Sequence, residues 1–174
     1  MPKNKLKINT GFTLIETIIY IGLFVLILSG ALTSVYSILE ANARNQTKIM
    51  VQEEGAFLLG KIDWALTGVV SASVDATGKI LTTIKSDSAF NNPIVISIDS
   101  AGDIFIKRGT NVPEGLNNSN VTVGCEVNGC FERVLATGDG INPESVSADI
   151  IVNANTPDGF PYAQYFSTIK FIRK

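Results

Sequence analysis

Glu16 is the residue whose chemistry most needs an explanation. It is the one charged side chain between Phe12 and Leu39, an otherwise uncharged apolar run of about 28 residues. A run of that length exceeds the roughly 20 residues that cross a bilayer as a helix. An ionised side chain at such depth costs about 3 kcal/mol or more, so it implies a function and a partner. The residues just before it supply one. The chain reads Gly11-Phe12-Thr13-Leu14-Ile15-Glu16, preceded by a polar leader, Met1 to Gly11, that carries Lys3, Lys5 and Lys7. A cut between Gly11 and Phe12 would create an ammonium on Phe12, one helical turn from the Glu16 carboxylate.

This junction resembles the type IV prepilin leader. The resemblance runs without a gap from the basic leader through Gly11, Phe12, the apolar stretch and Glu16, and continues into an amphipathic helix to about Gly68. It implies that prepilin peptidase, a membrane aspartyl enzyme, cuts after Gly11 and methylates the Phe12 amine. The freed ammonium would pair with Glu16 of its own or a neighbouring subunit, so that Glu16 sets assembly register. The implied partners are other pilins or pseudopilins through the N-terminal helix, the peptidase, an inner-membrane assembly platform, and lipid before assembly. The implied location is the inner (cytoplasmic) membrane, single-pass with the C-terminal head outside, and then a cell-surface pilus or a periplasmic pseudopilus.

Two simpler readings stand beside it. A secretory signal peptide has an apolar region of about 7 to 15 residues followed by a small-residue cleavage site, and this stretch is too long for that. A plain transmembrane anchor accounts for the length, and the leader lysines would hold the amino terminus in the cytoplasm. It leaves Glu16 and the Gly11-Phe12 junction unexplained.

Within the family, the helix through Gln52-Glu53-Glu54-Gly55-Ala56-Phe57-Leu58-Leu59 and the closing strand Tyr165-Phe166-Ser167-Thr168-Ile169 are similar to minor pilins of the W type and minor pseudopilins of the J type. This implies a tip or initiation subunit of a type IV pilus or a type II secretion pseudopilus. The alternatives are an abundant or competence pseudopilin, or, from another class, a membrane-anchored adhesin or binding module. Many major pilins carry a proline in the membrane half of the helix, and none occurs here between Phe12 and Gly68. Gly22, Gly30, Gly55 and Gly60 are read instead as close-packing points between helices.

Composition narrows the remaining classes. The formal net charge is -2, and loss of the three leader lysines takes it to -5, so no basic patch argues for nucleic acid. Histidine is absent, which excludes imidazole bases and His-ligated metals. Two cysteines cannot make a four-thiolate zinc site. With no recognisable nucleophile or paired carboxylates either, no catalytic residue, metal or cofactor is assigned, and the chain is read as a non-enzyme.

These residues must be positioned by a long helix and a β-rich head. Residues 1–11 form the leader, 12–39 the membrane and assembly half of the helix, 40–68 its amphipathic half, and 69–174 the head. An unbroken helix over 12–68 would be roughly 85 Å long. Gly55, Leu59, Ile62, Leu66 and Val69 recur at spacings of four and three, a stripe laid on a core. Glu40, Arg44 and Lys48 are placed on the outward side. After Gly68 the period becomes two, and strands are expected at Lys79–Lys85, Ile94–Asp99, Asp103–Lys107, Val121–Val127, Val146–Asn153 and Tyr165–Ile172. The turn Ser100-Ala101-Gly102-Asp103 joins the second and third as a hairpin. Arg108–Asn120, Thr137–Glu144 and Asn153–Pro161 read as loops. Strands without intervening helices predict an α+β fold, a largely antiparallel sheet packed on the helix stripe.

Cys125 and Cys130 enclose Glu126-Val127-Asn128-Gly129, a tight-turn sequence. In an exported domain such a pair is expected to be oxidised, although two reduced thiols satisfy the sequence as well. The spacing rules out a redox Cys-x-x-Cys centre. A bridge closing so short a loop would stiffen a hairpin tip rather than hold the fold. Type IV pilins often have a larger disulfide loop near the carboxy terminus, and this chain has no cysteine after Cys130. Asn45, Asn117 and Asn120 begin Asn-x-Ser/Thr triplets of low specificity. Asp139, Glu144, Asp149 and Asp158 lack the spacing of a calcium loop and read as solvated loop charges. Trp64 reads as a core anchor against the sheet rather than a ligand platform.

Overall fold

The computed structural model describes residues 11–87, 91–136 and 144–172. Most of the leader, including its three lysines, and Asp139 therefore lie outside the described residues. Among the described residues one helix, α1 (Leu14–Leu66), is followed by nine strands. No proline interrupts α1, and it ends where Gly68 adopts a positive φ of 72°, the left-handed conformation that stops a helix and that glycine takes without a Cβ penalty. The chain divides into two compact units, Met1–Asn42 and Ala43–Lys174. In the first unit the described helix is long and apolar enough to cross a membrane. Its side chains, among them Ile15, Phe24, Leu26 and Ile27, are exposed.

In the second unit the rest of α1 packs against antiparallel sheets. Thr47, Val51, Gly55, Leu58, Ile62, Ala65 and Leu66 are its buried residues. The expected stripe is therefore present at Gly55, Ile62, Leu66 and Val69, and differs at one position, where Leu58 is inward and Leu59 only half-buried. Leu58 and Ile62 are fully buried, each contributing about 1.5–3 kcal/mol of apolar transfer.

Two sheets cover the helix where one was expected. The first is a meander, β1 (Val69–Val74), β2 (Ile80–Lys85), β3 (Ile94–Ile98), β4 (Ile104–Arg108) and β5 (Glu114–Gly115), with neighbours in sequence order. The second is built on β8 (Ser145–Asn155). One edge of β8 pairs with all of β9 (Pro161–Phe171), from Ser145↔Phe171 to Asn155↔Pro161. Its other edge takes β6 (Thr122–Gly124) and β7 (Phe131–Val134) one after the other. Every ladder is antiparallel. The predicted hairpin at Ser100–Asp103 is present, with Ile98 opposite Ile104.

Other boundaries move. The strand expected over Val121–Val127 is only Thr122–Gly124, because the chain leaves the ladder to form the disulfide turn. The loops expected at Arg108–Asn120 and Asn153–Pro161 contain β5 and the ends of β8 and β9. Strands β1, β5 and β7 were not anticipated.

Among the four helix glycines, only Gly55 meets a close neighbour. A Cβ there would lie 2.1 Å from the Phe166 ring, whereas positions 22, 30 and 60 have nothing within 4 Å. The expected helix-to-helix role of Gly55 is thus replaced by a seat for an aromatic ring of β9.

Candidate functional site

The N-terminal end of α1 is built around Thr13. Its hydroxyl oxygen accepts the Glu16 N–H at 3.4 Å, and its carbonyl accepts the Thr17 N–H at 3.2 Å. Thr13 is therefore the N-cap and Glu16 the third helical residue, the Thr-x-x-Glu spacing of a capping box. A carboxylate in the first turn also complements the positive end of the helix dipole. Glu16 is half-buried, and its Oε1 accepts the Tyr20 hydroxyl at 3.3 Å. Tyr20 also meets Phe12 edge to face, with ring centroids 6.1 Å apart. Phe12 is otherwise 76% exposed. At Gly11 the backbone is not left-handed and a Cβ would meet nothing, so nothing in the chain's own packing calls for glycine there. The sequence placed Gly11, Phe12 and Glu16 together but missed Thr13 and Tyr20. Their signals were the capping-box spacing and the i,i+4 step from Glu16.

Cys125 and Cys130 form a disulfide with Cα atoms 4.6 Å apart. Between them Glu126 pairs with Gly129 in a one-bridge turn, and Val127 points fully into solvent. The tip is not free. The Cys130 and Phe131 N–H groups both donate to the Gly78 carbonyl, at 2.8 and 2.9 Å, and the Cys130 carbonyl accepts the Asp149 N–H at 2.8 Å. The turn thus bonds to the β1–β2 connection on one side and to β8 on the other, where the two sheets join.

A concavity of about 420 Å³ lies between α1 and the β4–β5 side of the first sheet, lined by Phe57, Lys61, Trp64, Ile106, Arg108 and Glu114 among others. Trp64 does pack against the core as expected, and it also walls this groove. Lys85 was not anticipated. It falls on the inward phase of β2, is 5% exposed, and stands with Nζ 4.1 Å above the Trp64 ring. Its ammonium donates to the Trp64 carbonyl at 2.6 Å, capping the C-terminal end of α1 where cations are favoured. Burial pushes the Lys85 pKa below the ordinary lysine value.

Replacing Lys85 by Met should cost about 2 kcal/mol, a hydrogen bond from a charged donor, and shift the emission of Trp64, the sole tryptophan. The folded state binds the Lys85 proton less tightly than the unfolded state. Stability therefore gains from this group as pH rises through the window below the usual lysine pKa, and Lys85→Met should flatten that slope in denaturation curves taken across alkaline pH.

The acidic residues are not all solvated loop charges. Glu144 is 4% exposed, with Oε1 accepting from Arg133 at 2.6 and 2.9 Å. Asp158 pairs with Arg44 at 2.9 Å, and Arg44 stays on the exposed side of α1 as expected. Asp149 lies within β8. Asn117 is occupied structurally, accepting from the Ile104 N–H and donating to the Val121 carbonyl. No group of three or more His, Cys, Asp or Glu among the described residues is placed to hold a metal. A scan of family models and searches of curated proteins and solved structures found no match to this chain.

Proposed function

We propose that this chain is a structural subunit of a type IV pilus or type II secretion pseudopilus, in a minor, tip or initiation role, and not an enzyme. The observation that carries the reading is the end of α1. A lone carboxylate sits in the first turn of an exposed apolar helix, an exposed Phe12 stands beside it, and Gly11 precedes it for no reason internal to the chain. The chain enters the inner membrane with its head outside. Prepilin peptidase cuts Gly11–Phe12 and methylates the new amine. The ammonium then pairs with Glu16 where neither charge is well hydrated and a charge-assisted hydrogen bond is strongest. A subunit in register satisfies its carboxylate, and one out of register does not. The apolar side chains of residues 12–39, uncovered in the single chain, become the packing surface between helices.

Intact mass and amino-terminal sequencing of protein from cells with and without the peptidase test the reading. A chain beginning at N-methylated Phe12 only when the peptidase is present is the expected result. Retention of Met1 to Gly11 in both would leave a plain membrane anchor. Replacement of Gly11 by a bulky residue such as Phe should block the cut, and efficient processing of that variant would remove the peptidase from the scheme.

The groove at Phe57 and Trp64 favours one second reading, a membrane-anchored head that binds a surface or ligand. Co-sedimentation with sheared filaments separates the two, since an anchored binding module would stay with membranes.

A further inference from the structure

Glu16 and Tyr20 lie four residues apart on one stripe of α1, and Phe12 stands just before its N-cap. Side chains of a helix lean toward its N-terminus, so Tyr20 reaches back to Glu16 and to Phe12. Both neighbours converge on the Tyr20 phenol. Its hydroxyl donates to Glu16 Oε1 at 3.3 Å, and its ring meets the Phe12 ring at an interplanar angle of 76°. The other hydroxyls nearby behave differently. That of Thr17 turns back onto the Thr13 carbonyl and that of Thr13 accepts the Glu16 N–H, which leaves Tyr20 as the side chain that donates to the carboxylate.

We infer that Tyr20 is a positioning residue for Glu16: its hydroxyl holds one carboxylate oxygen and its ring steadies Phe12, which leaves the second oxygen to accept from the amine that cleavage creates. The assignment of that amine as the final partner rests on the pilin-like reading; the Tyr20–Glu16 contact does not. A carboxylate offers about four acceptor sites, so hydroxyl and ammonium can be accommodated together. The chain then carries its own first donor for a carboxylate in hydrocarbon, before any neighbour arrives.

Tyr20→Phe removes the hydroxyl and keeps the ring. Cleavage should be unchanged, while incorporation into filaments falls about tenfold, the worth of a hydrogen bond to a charged group. In a Glu16→Ala background the same change should do nothing further, since the two residues act as one unit. Normal incorporation of Tyr20→Phe, or an additional loss in the double variant, would overturn the inference. A readout independent of assembly is the tyrosine Cζ resonance of the full chain in detergent micelles, labelled with ¹³C and assigned by its disappearance in Tyr20→Phe. It should move in Glu16→Ala while the Tyr36 signal stays. If the Tyr20 signal does not move, the positioning role fails even for a chain that assembles. If it moves in a chain that is never cut, the pilin-like reading fails and the contact stands.

Discussion

Glu16→Ala is expected to be cut between Gly11 and Phe12 as efficiently as the natural chain and to enter filaments at well under a hundredth of its level. Cleavage depends on the junction, where Gly11 and Phe12 are exposed and untouched by the change. Assembly depends on what the new ammonium meets. Removing one partner of a buried ion pair costs about 3–5 kcal/mol, because the other is left charged and unpaired in a poor solvent. At about 1.4 kcal/mol per factor of ten this amounts to roughly two to three and a half orders of magnitude. Glu16→Gln, which keeps the acceptor oxygen and loses the charge, should fall between. Quantitative mass spectrometry of the membrane and sheared-filament fractions would measure both steps on one sample. A fully incorporated Glu16→Ala chain would mean that register is set elsewhere on α1.

The largest effect on stability is expected at Gly129. Its φ of 100° is one that side chains rarely adopt, and an added Cβ would lie 2.5 Å from the Gly78 Cα and 2.7 Å from the Thr77 carbonyl oxygen. These are backbone atoms with no rotamer to change. Relief requires the disulfide turn to lift off the β1–β2 connection, which breaks the two hydrogen bonds into the Gly78 carbonyl. Strain of about 1–3 kcal/mol adds to about 1 kcal/mol for each bond. Gly129→Ala should therefore lose about 3–5 kcal/mol and at least about 10 °C in melting temperature. Gly60→Ala provides the opposite sign, since that helical position is open and alanine is the better helix former by about 1 kcal/mol. Thermal unfolding of both variants in micelles would decide it. A Gly129→Ala head that melts with the natural chain would show that the sheets do not depend on this contact.

Much of this was legible in the sequence, for identifiable reasons. The extent of α1 followed from the absence of proline and the glycine at its end. Strands β2, β3, β4, β8 and β9 followed from period-two alternation of branched and aromatic residues. The helix phase held at Gly55, Ile62, Leu66 and Val69, and only Leu59 gave way to Leu58, because periodicity cannot choose between identical neighbours. Strand β1 was hidden because Val69-Val70-Ser71-Ala72-Ser73-Val74 alternates weakly, and β7 because Glu132 and Arg133 dilute a four-residue strand. The two sheets join at a close approach between Gly78 and Gly129, a long-range event that no local pattern encodes. The same limit applies to Lys85 and Glu144. Each is an ionisable residue on the inward side, acceptable only because a distant partner, the Trp64 carbonyl or Arg133, meets it there. At the candidate site, Gly11, Phe12 and Glu16 were legible from type and spacing alone. The carboxylate's neighbour Tyr20 looked like one more apolar residue of the run until its hydroxyl was placed.

The seat of Phe166 on Gly55 bears on the order of events in biogenesis. The ring that covers this helix glycine belongs to β9, as does Lys170, which pairs with Asp63 of α1 at 2.6 Å. Residues synthesised more than a hundred positions apart thus complete one surface, and β8 has no partner along its whole outer edge until β9 arrives. The head cannot close while the ribosome is still short of Phe171. On the pilin-like reading, the helix would reach the membrane while its Gly55 face still lacked Phe166, so that anchoring would precede completion of the head.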